Sequence, residues 1–575
     1  MTALLWAVLF LPVAWAALLL TDCYMPGDNI IAIAGHFTER VKSPFDIPVN
    51  DYTPRALIAA AVLYGLCISA YYATRRKERP GEEHGSAQWG DPHVLNAKYA
   101  NRKNKYDNII LTKHISLGMD SRKHQRNKNV LVIGGSGAGK TRFYCKPNLM
   151  NANCSYIVTD PKGELLRASG QFLRDRGYDI KVLDLINMDM SDGYNPFAYL
   201  DTDEDAFKLI SNLIRNTTPP KSQNNDPFWE KSESALLSAL ILYLHHEAPE
   251  DEQNFSMVMY MIENGAASED DESYTSPLDI LFDDLEQEDP EHIALKEFKI
   301  FKQAAGKTAK SILVSAAVRL AAFLLPKFQA VTSRDDLDIG SMGERKRAIF
   351  AVIPDNDDTF NYLVGMLYTQ AFQALFRNAD HKHGGRLPIH VRFIMDEFSN
   401  VANLSPDDFL RALQTMRSRE ISVSIIIQTF AALKKQFGNE AWEAIPGNCD
   451  TILYLGGNEP QEYLSKHYLG KATIDTRTSG KTQGKQGSYS QNFQNAGREL
   501  LTSDEIRRMD NKYALLFIRG EYPVMDEKYD ILKHPNVKFT EDGGAPPYLH
   551  KGEWPDYSDD SLMIDFNRLE DYEIS

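Results

Sequence analysis

The sequence predicts an α/β chain with a mostly parallel sheet, an all-α insertion that splits it, and two N-terminal transmembrane helices. Three observations predict this. Short apolar or β-branched runs recur between helical stretches, at Val130–Ile133, Arg347–Pro354, Ile389–Met395, Ile421–Ile427 and Thr451–Leu455. That alternation builds parallel sheets. From Asp203 to about Phe323 it stops, and helical patterns such as "FWEKSESALLSALILYLHHE" take over. Finally, Met1–Thr21 and Ala56–Thr74 contain no charged side chain.

The anchor comes first. At about 1.5 Å per helical residue, each uncharged run crosses a hydrocarbon core of roughly 30 Å. Arg75, Arg76, Lys77 and Arg79 follow the second run at once, so by the positive-inside rule that end is cytoplasmic. Two spans then place the N-terminus inside as well, with Asp22–Arg55 as a short external loop. The alternative is a signal peptide cut after Ala14-Trp15-Ala16. It would lack a basic leader, and the apolar run continues past that point through Leu20. In either case the second span leaves the bulk of the chain in the cytoplasm, at the cell membrane. Five cysteines lie scattered without a CxxC pair, which fits a reducing compartment and argues against a zinc site or a disulfide framework. A net charge of −16 excludes a chain coated for nucleic-acid binding, although not a locally basic channel.

Next is a phosphate cradle. Gly134, Gly135, Ser136, Gly137, Ala138 and Gly139 lead into Lys140-Thr141 directly after the apolar run Val130–Ile133. Glycines let backbone N–H groups curl round phosphates, Lys140 reaches the β- and γ-phosphates, and Thr141 holds Mg²⁺. The cofactors expected are therefore ATP and Mg²⁺. "AAGKT" at Ala304–Thr308 lacks the first glycine, since Phe301 stands there. A second metal-side carboxylate is expected at a strand end, and Asp396-Glu397 follows an apolar run. Asp396 would hold the metal through water, and Glu397 would polarise the attacking water. An acidic cap for the next helix is the bland alternative. Gln428 closes the apolar run Ile421–Ile427, where an open sheet meets its ligand, and would sense the γ-phosphate unless it only caps a helix. Arg417 precedes that run and would serve a neighbouring subunit as an arginine finger. The alternative is that Arg417 and Arg419 are solvated surface charges.

The remaining segments are read from composition. Asp160-Pro161-Lys162-Gly163-Glu164 follows a strand and either turns near the phosphates or is a plain strand-to-helix turn with Glu164 in the first helical turn. Glu269–Glu291 is an acidic stretch of the helical insertion, read as a solvated face. Lys471–Arg498 carries five Lys/Arg and one Asp among Gly, Ser and Gln. It reads as a mobile loop, either plainly disordered or facing a nucleic-acid strand. The organisation expected is an anchor over 1–79, a nucleotide-binding part over 80–202, an all-α domain over 203–325, a second nucleotide-binding part over 326–540 and an acidic tail over 541–575.

Taken in order, the two spans, "HGSAQW", "GGSGAGKT", "DPKGE", "SDGYNPF", "DPFW", "IMDEF", the glutamine at a strand end and "GRELLTSDEIRRM" resemble the VirD4/TraG family of type IV secretion coupling proteins. The resemblance runs from the spans to about residue 535. It implies a RecA-like ATPase with an all-α insertion, forming a homo-hexamer at the cytoplasmic membrane. It implies as partners a relaxase-bound single-stranded DNA and the components of a type IV secretion channel. By position, Lys140, Thr141, Asp396, Glu397, Gln428 and Arg417 match the family's nucleotide lysine, hydroxyl, metal acid, catalytic acid, glutamine and candidate arginine finger. The all-α insertion looks larger than in compact members. A coupling ATPase for protein effectors and an FtsK-like DNA translocase are the rival readings. The latter predicts more spans and a C-terminal DNA reader.

Overall fold

The structure, a computed structural model, describes residues 2–552 except 24, 26–28, 47–48, 75–81, 83, 219–226, 266–274, 305, 356, 358, 401–404, 439–440 and 482–488. The basic cluster Arg75–Arg79, part of the acidic stretch and the tail from Glu553 on lie outside the described residues. Two compact units result. One holds residues 1–86 and 473–497, the other 87–472 and the chain from Arg498 on.

In the first unit, helices Thr2–Cys23 and Thr53–Thr74 pack antiparallel. Among the described residues they are the two single helices long and apolar enough to cross a membrane. The Tyr64 hydroxyl donates to the Trp6 carbonyl at 2.7 Å, and the Trp6 indole donates to Tyr72 at 3.0 Å. The segment between them is not all loop. Ile30–Arg40 is a helix capped by Asn29, which accepts from the Ala32 N–H at 3.0 Å.

In the second unit, β1 (Asn108–Ile110) and β2 (Ser116–Gly118) pair as a small ribbon. The main sheet follows from β3 (Val130–Ile133), β4 (Ser155–Pro161), β5 (Asp179–Asp184), β6 (Arg347–Ile353), β7 (Val391–Met395), β8 (Ile421–Ile427) and β9 (Thr451–Tyr454). Beyond these, β10 (Lys471–Lys481) and β11 (Tyr489–Glu499) pair separately, and β12 (Tyr513–Ile518) and β13 (Val524–Glu527) complete the main sheet. Among the described residues nine strands form it, in the order β13-β12-β9-β3-β8-β7-β4-β6-β5. The pairs from β9 to β5 are parallel, and β12 joins β9 antiparallel.

The strands are apolar on both faces because both faces are covered. Leu131, Ile133, Phe393, Ile425 and Ile427 point into one core, and Val130, Val132, Ile394 and Ile426 into the other. The helices between β5 and β6, from Asp203–Thr217 to Pro326–Thr332, share the first core. Glu233 ties three of them together. Arg319 pairs with it at 2.5 Å and also donates to the Ile214 carbonyl at 3.1 Å.

One expectation is corrected. Lys471–Arg498 is not a loop: its flanks pair as β10 and β11. Thr473, Ile474 and Thr476 are β-branched and favour extended backbone, while the Gly, Ser and Gln around them read as loop. The entry segment lies alongside, with the Thr473 N–H donating to the Gly85 carbonyl at 3.1 Å.

Candidate functional site

Three neighbouring strands, β3, β8 and β7, end at one edge of the sheet, and each delivers a predicted residue there. From β3 the chain turns at Gly134, whose N–H donates to the Ile427 carbonyl of β8 at 3.1 Å. Gly137 and Gly139 take φ of +75° and +82°, which glycine adopts at no steric cost. A Cβ on Gly139 would also lie 2.4 Å from the Phe143 ring. A wide helical turn, Thr141–Cys145, continues into Lys146–Leu149. Lys140 is buried, and its Nζ donates to the Gly135 carbonyl at 3.4 Å. Among the described residues it forms no ion pair.

From β7 come Asp396 and Glu397. The Thr141 hydroxyl donates to Asp396 Oδ2 at 3.0 Å, and the Glu397 N–H donates to Asp396 Oδ1 at 3.0 Å. Burial pushes the Asp396 carboxyl above its usual range, although Thr141 and Lys140 pull it back. Glu397 has φ of +50°, a left-handed backbone that non-glycine residues rarely take and that clusters at functional sites. From β8 comes Gln428, whose Nε2 donates to Glu397 Oε1 at 3.3 Å. The neighbouring β4 contributes Asp160, which accepts from the Leu165 and Leu166 N–H groups at 3.0 and 2.7 Å. Burial, reinforced by Asp396 and Glu164 nearby, pushes it up to about 7. Thr141 and Asp396 make an oxygen donor set beside a buried, undercompensated charge, which fits Mg²⁺.

Five predicted residues therefore converge: Lys140, Thr141, Asp396, Glu397 and Gln428. Arg417 does not. It is exposed on the turn Met416–Arg419, before β8 rather than after it, so the length of the strand separates it from this site. Arg419 is engaged by Asp380 at 2.7 Å.

Sequence reading missed what backs the cradle. The Gly135 N–H donates to the Gly456 carbonyl at 2.9 Å, and a Cβ on Gly457 would fall 2.8 Å from the Gly135 nitrogen. The pair Gly456-Gly457 after a strand was a visible signal for such a close approach. Lys528 gave no signal. Its Nζ donates to the Ala138 carbonyl at 3.0 Å and to Asn511 Oδ1 at 2.7 Å, and burial lowers it to about 8.

A family model described as "Type IV secretory system Conjugative DNA transfer" matches residues 88–542. Among similar proteins, Protein VirD4 of Rhizobium radiobacter is 22% identical over 503 residues, covering 84% of this chain and 69% of its own length. Conjugal transfer protein TraG of Escherichia coli is 22% identical over 488 residues, covering 79% of this chain and 75% of its own. The fold is like that of plasmid coupling protein TrwB. Its complex with the ATP analogue ADPNP aligns with TM-score 0.56 at 15% identity, over 79% of this chain and 96% of that one. Its complex with ADP and Mg²⁺ aligns equally well, over 79% and 97%. The chain belongs to the type IV secretory conjugative DNA transfer family.

Proposed function

We propose that this chain is the ATP-hydrolysing coupling protein of a conjugative type IV secretion system. It works as a homo-hexamer at the cytoplasmic membrane, receives a relaxase-bound single strand of DNA and drives it into the secretion channel. The observation that carries this reading is the convergence of Lys140, Thr141, Asp396, Glu397 and Gln428 at one sheet edge in a chain of the conjugative DNA transfer family.

Each residue then has a task. The turn from Gly134 through Ser136 and Ala138 to Gly139 binds the ATP phosphates, and Lys140 neutralises the β- and γ-oxygens. Thr141 and Asp396 would hold Mg²⁺, which supplies charge neutralisation on the phosphate oxygens when bound. Glu397 orients the attacking water and takes its proton. Gln428 fixes the Glu397 carboxylate and reads whether a γ-phosphate is present. Arg417 acts on the site of a neighbouring subunit. The TrwB complexes with ADPNP and with ADP and Mg²⁺ support ATP and Mg²⁺ as the ligands.

The helices Leu5–Cys23 and Thr53–Thr74 anchor the chain, with the bulk in the cytoplasm. On this reading the chain carries a nucleotide domain in two parts, 80–202 and 326–540, around an all-α domain, 203–325.

Conjugation tests the reading. Donor cells whose only copy carries Glu397→Gln are expected to lose transfer of the DNA strand while still holding the relaxase complex at the membrane. Undiminished transfer would refute it. Export of protein substrates with no effect on DNA would favour an effector-coupling ATPase instead.

A further inference from the structure

The opposite edge of the same three strands carries a second polar cluster. β3, β8 and β7 lie side by side, and within two residues before them stand Lys128, Glu420 and His390. All three are buried. Lys128 Nζ donates to Glu420 Oε2 at 2.6 Å and to the Met119 carbonyl at 3.0 Å. His390 Nδ1 lies 3.0 Å from the same carboxylate oxygen, and its Nε2 lies 2.8 Å from Ser422 Oγ. Arg386 pairs with the other oxygen, Oε1. With His390 held neutral by burial, down to about 3, its Nδ1–H donates to Glu420 and its Nε2 accepts from Ser422.

Glu420 is also the last residue of the turn that carries Arg417. Its φ is +61°, and its N–H donates back to the Met416 carbonyl. Its own carbonyl accepts from the Val391 N–H of β7 at 3.0 Å. One carboxylate therefore joins two things: the feet of the strands that end in the cradle, Gln428 and Asp396-Glu397, and the turn that presents Arg417. From Glu420 to Gln428 the strand spans on the order of 25 Å, which no arginine side chain bridges. Arg417, exposed at the far end of the strand, does not reach the nucleotide site of its own chain. A β-branched or charged strand foot needs no such junction merely to fold, since replacing a buried ion cluster by apolar residues is often neutral or stabilising.

We infer that Glu420 is a positioning residue: it holds Arg417 in register with the strands of its own nucleotide site, so that the arginine offered to a second copy of this chain is placed by the state of the site behind it. This rests on the trans-acting Arg417 of the proposed function. In a ring, each interface pairs one subunit's site with the next subunit's arginine. A Glu420 variant should then be deficient as an arginine donor yet competent as a site.

Mixed rings read this directly. Full-length Glu420→Gln alone is expected to lose turnover by about 10²-fold, the cost of misplacing a catalytic group by an ångström, with KM for ATP changed less than twofold. Glu397→Gln alone is inactive as a site but intact as a donor. Mixed in equal amounts before assembly, the two should recover about a quarter of wild-type turnover, because one interface in four pairs an intact site with an intact donor. Arg417→Ala mixed with Glu397→Gln runs beside it. Recovery in both mixtures supports the inference. Recovery with Arg417→Ala but not with Glu420→Gln overturns the role of Glu420 and leaves the trans arginine standing. Recovery in neither removes the trans arginine and the inference with it. Binding of a fluorescent ATP analogue reports folding. If Glu420→Gln fails that check, Arg386→Ala, which removes the half-exposed partner, decides the question by the same mixtures.

Discussion

At their carboxyl ends, β3, β8 and β7 present Lys140 in no ion pair among the described residues, Asp396 weakened as an acid by burial, and Glu397 in a left-handed backbone. Before their amino ends stand Lys128, Glu420 and His390, where two cations, one anion and a neutral imidazole satisfy one another. The first edge holds a lysine in no ion pair among the described residues beside a carboxyl that burial disfavours, which is how a fold prepares to bind a charged ligand at the cost of stability. The second edge is closed on itself. The difference separates a site from a scaffold within one sheet, and it predicts opposite responses to substitution.

The largest effects belong to the open edge. Lys140→Ala and Glu397→Gln are expected to lower ATP turnover by about 10³-fold while leaving the thermal midpoint of the ligand-free protein unchanged. A parallel loss of midpoint would mean these residues are structural.

At the closed edge the pattern reverses. Lys128→Met leaves Glu420 buried with one cation fewer, a loss of about 3 kcal/mol. It should appear as a lower denaturant midpoint, with affinity for an ATP analogue kept within twofold once folded. A large loss of affinity at full stability would break the comparison.

Asp396→Asn tests the cost carried by the open edge. Because burial already disfavours the ionised carboxyl, the amide should not lower the ligand-free midpoint, even as turnover falls by about 10²-fold or more. A midpoint several degrees lower would show that Asp396 is a stabilising hub.

The smallest effect is a pH dependence of the closed edge. His390 is held down to about 3 from an ordinary 6.5, and Glu420 to about 2 from 4.5. Below 6.5 the unfolded chain takes a proton on His390 that the folded chain refuses, and below 4.5 the same holds for Glu420. The stability they contribute is thus present at neutral pH and lost progressively on acidification from about pH 6.5 towards 2. His390→Gln should flatten the upper part of that decline in unfolding midpoints measured against pH, and an unaltered slope would remove His390 from the account.

Much of the open edge was legible in the sequence because its signals are local. Val130–Ile133 running into Gly134–Thr141 is one contiguous string, and Asp396-Glu397 and Gln428 each end an apolar run. Their adjacency was not legible, because the strand order β3-β8-β7 is set by helix crossovers and not by chain order. The closed edge was invisible for the same reason. Lys128 and Glu420 stand 292 positions apart, and neither lies in a pattern. Lys528 against Ala138, 390 positions away, is the same case. The β10–β11 pair misled in another way. Strands with polar residues on both faces lack the period-2 alternation that marks a half-buried strand, so composition alone spoke for a loop.

The measurement that tests the central claim most directly is ATP turnover of the full-length protein in a lipid environment, with and without single-stranded DNA, for the wild type and Glu397→Gln. The account predicts turnover that DNA stimulates and that Glu397→Gln abolishes in both conditions. Turnover that persists in Glu397→Gln, with or without DNA, would contradict it.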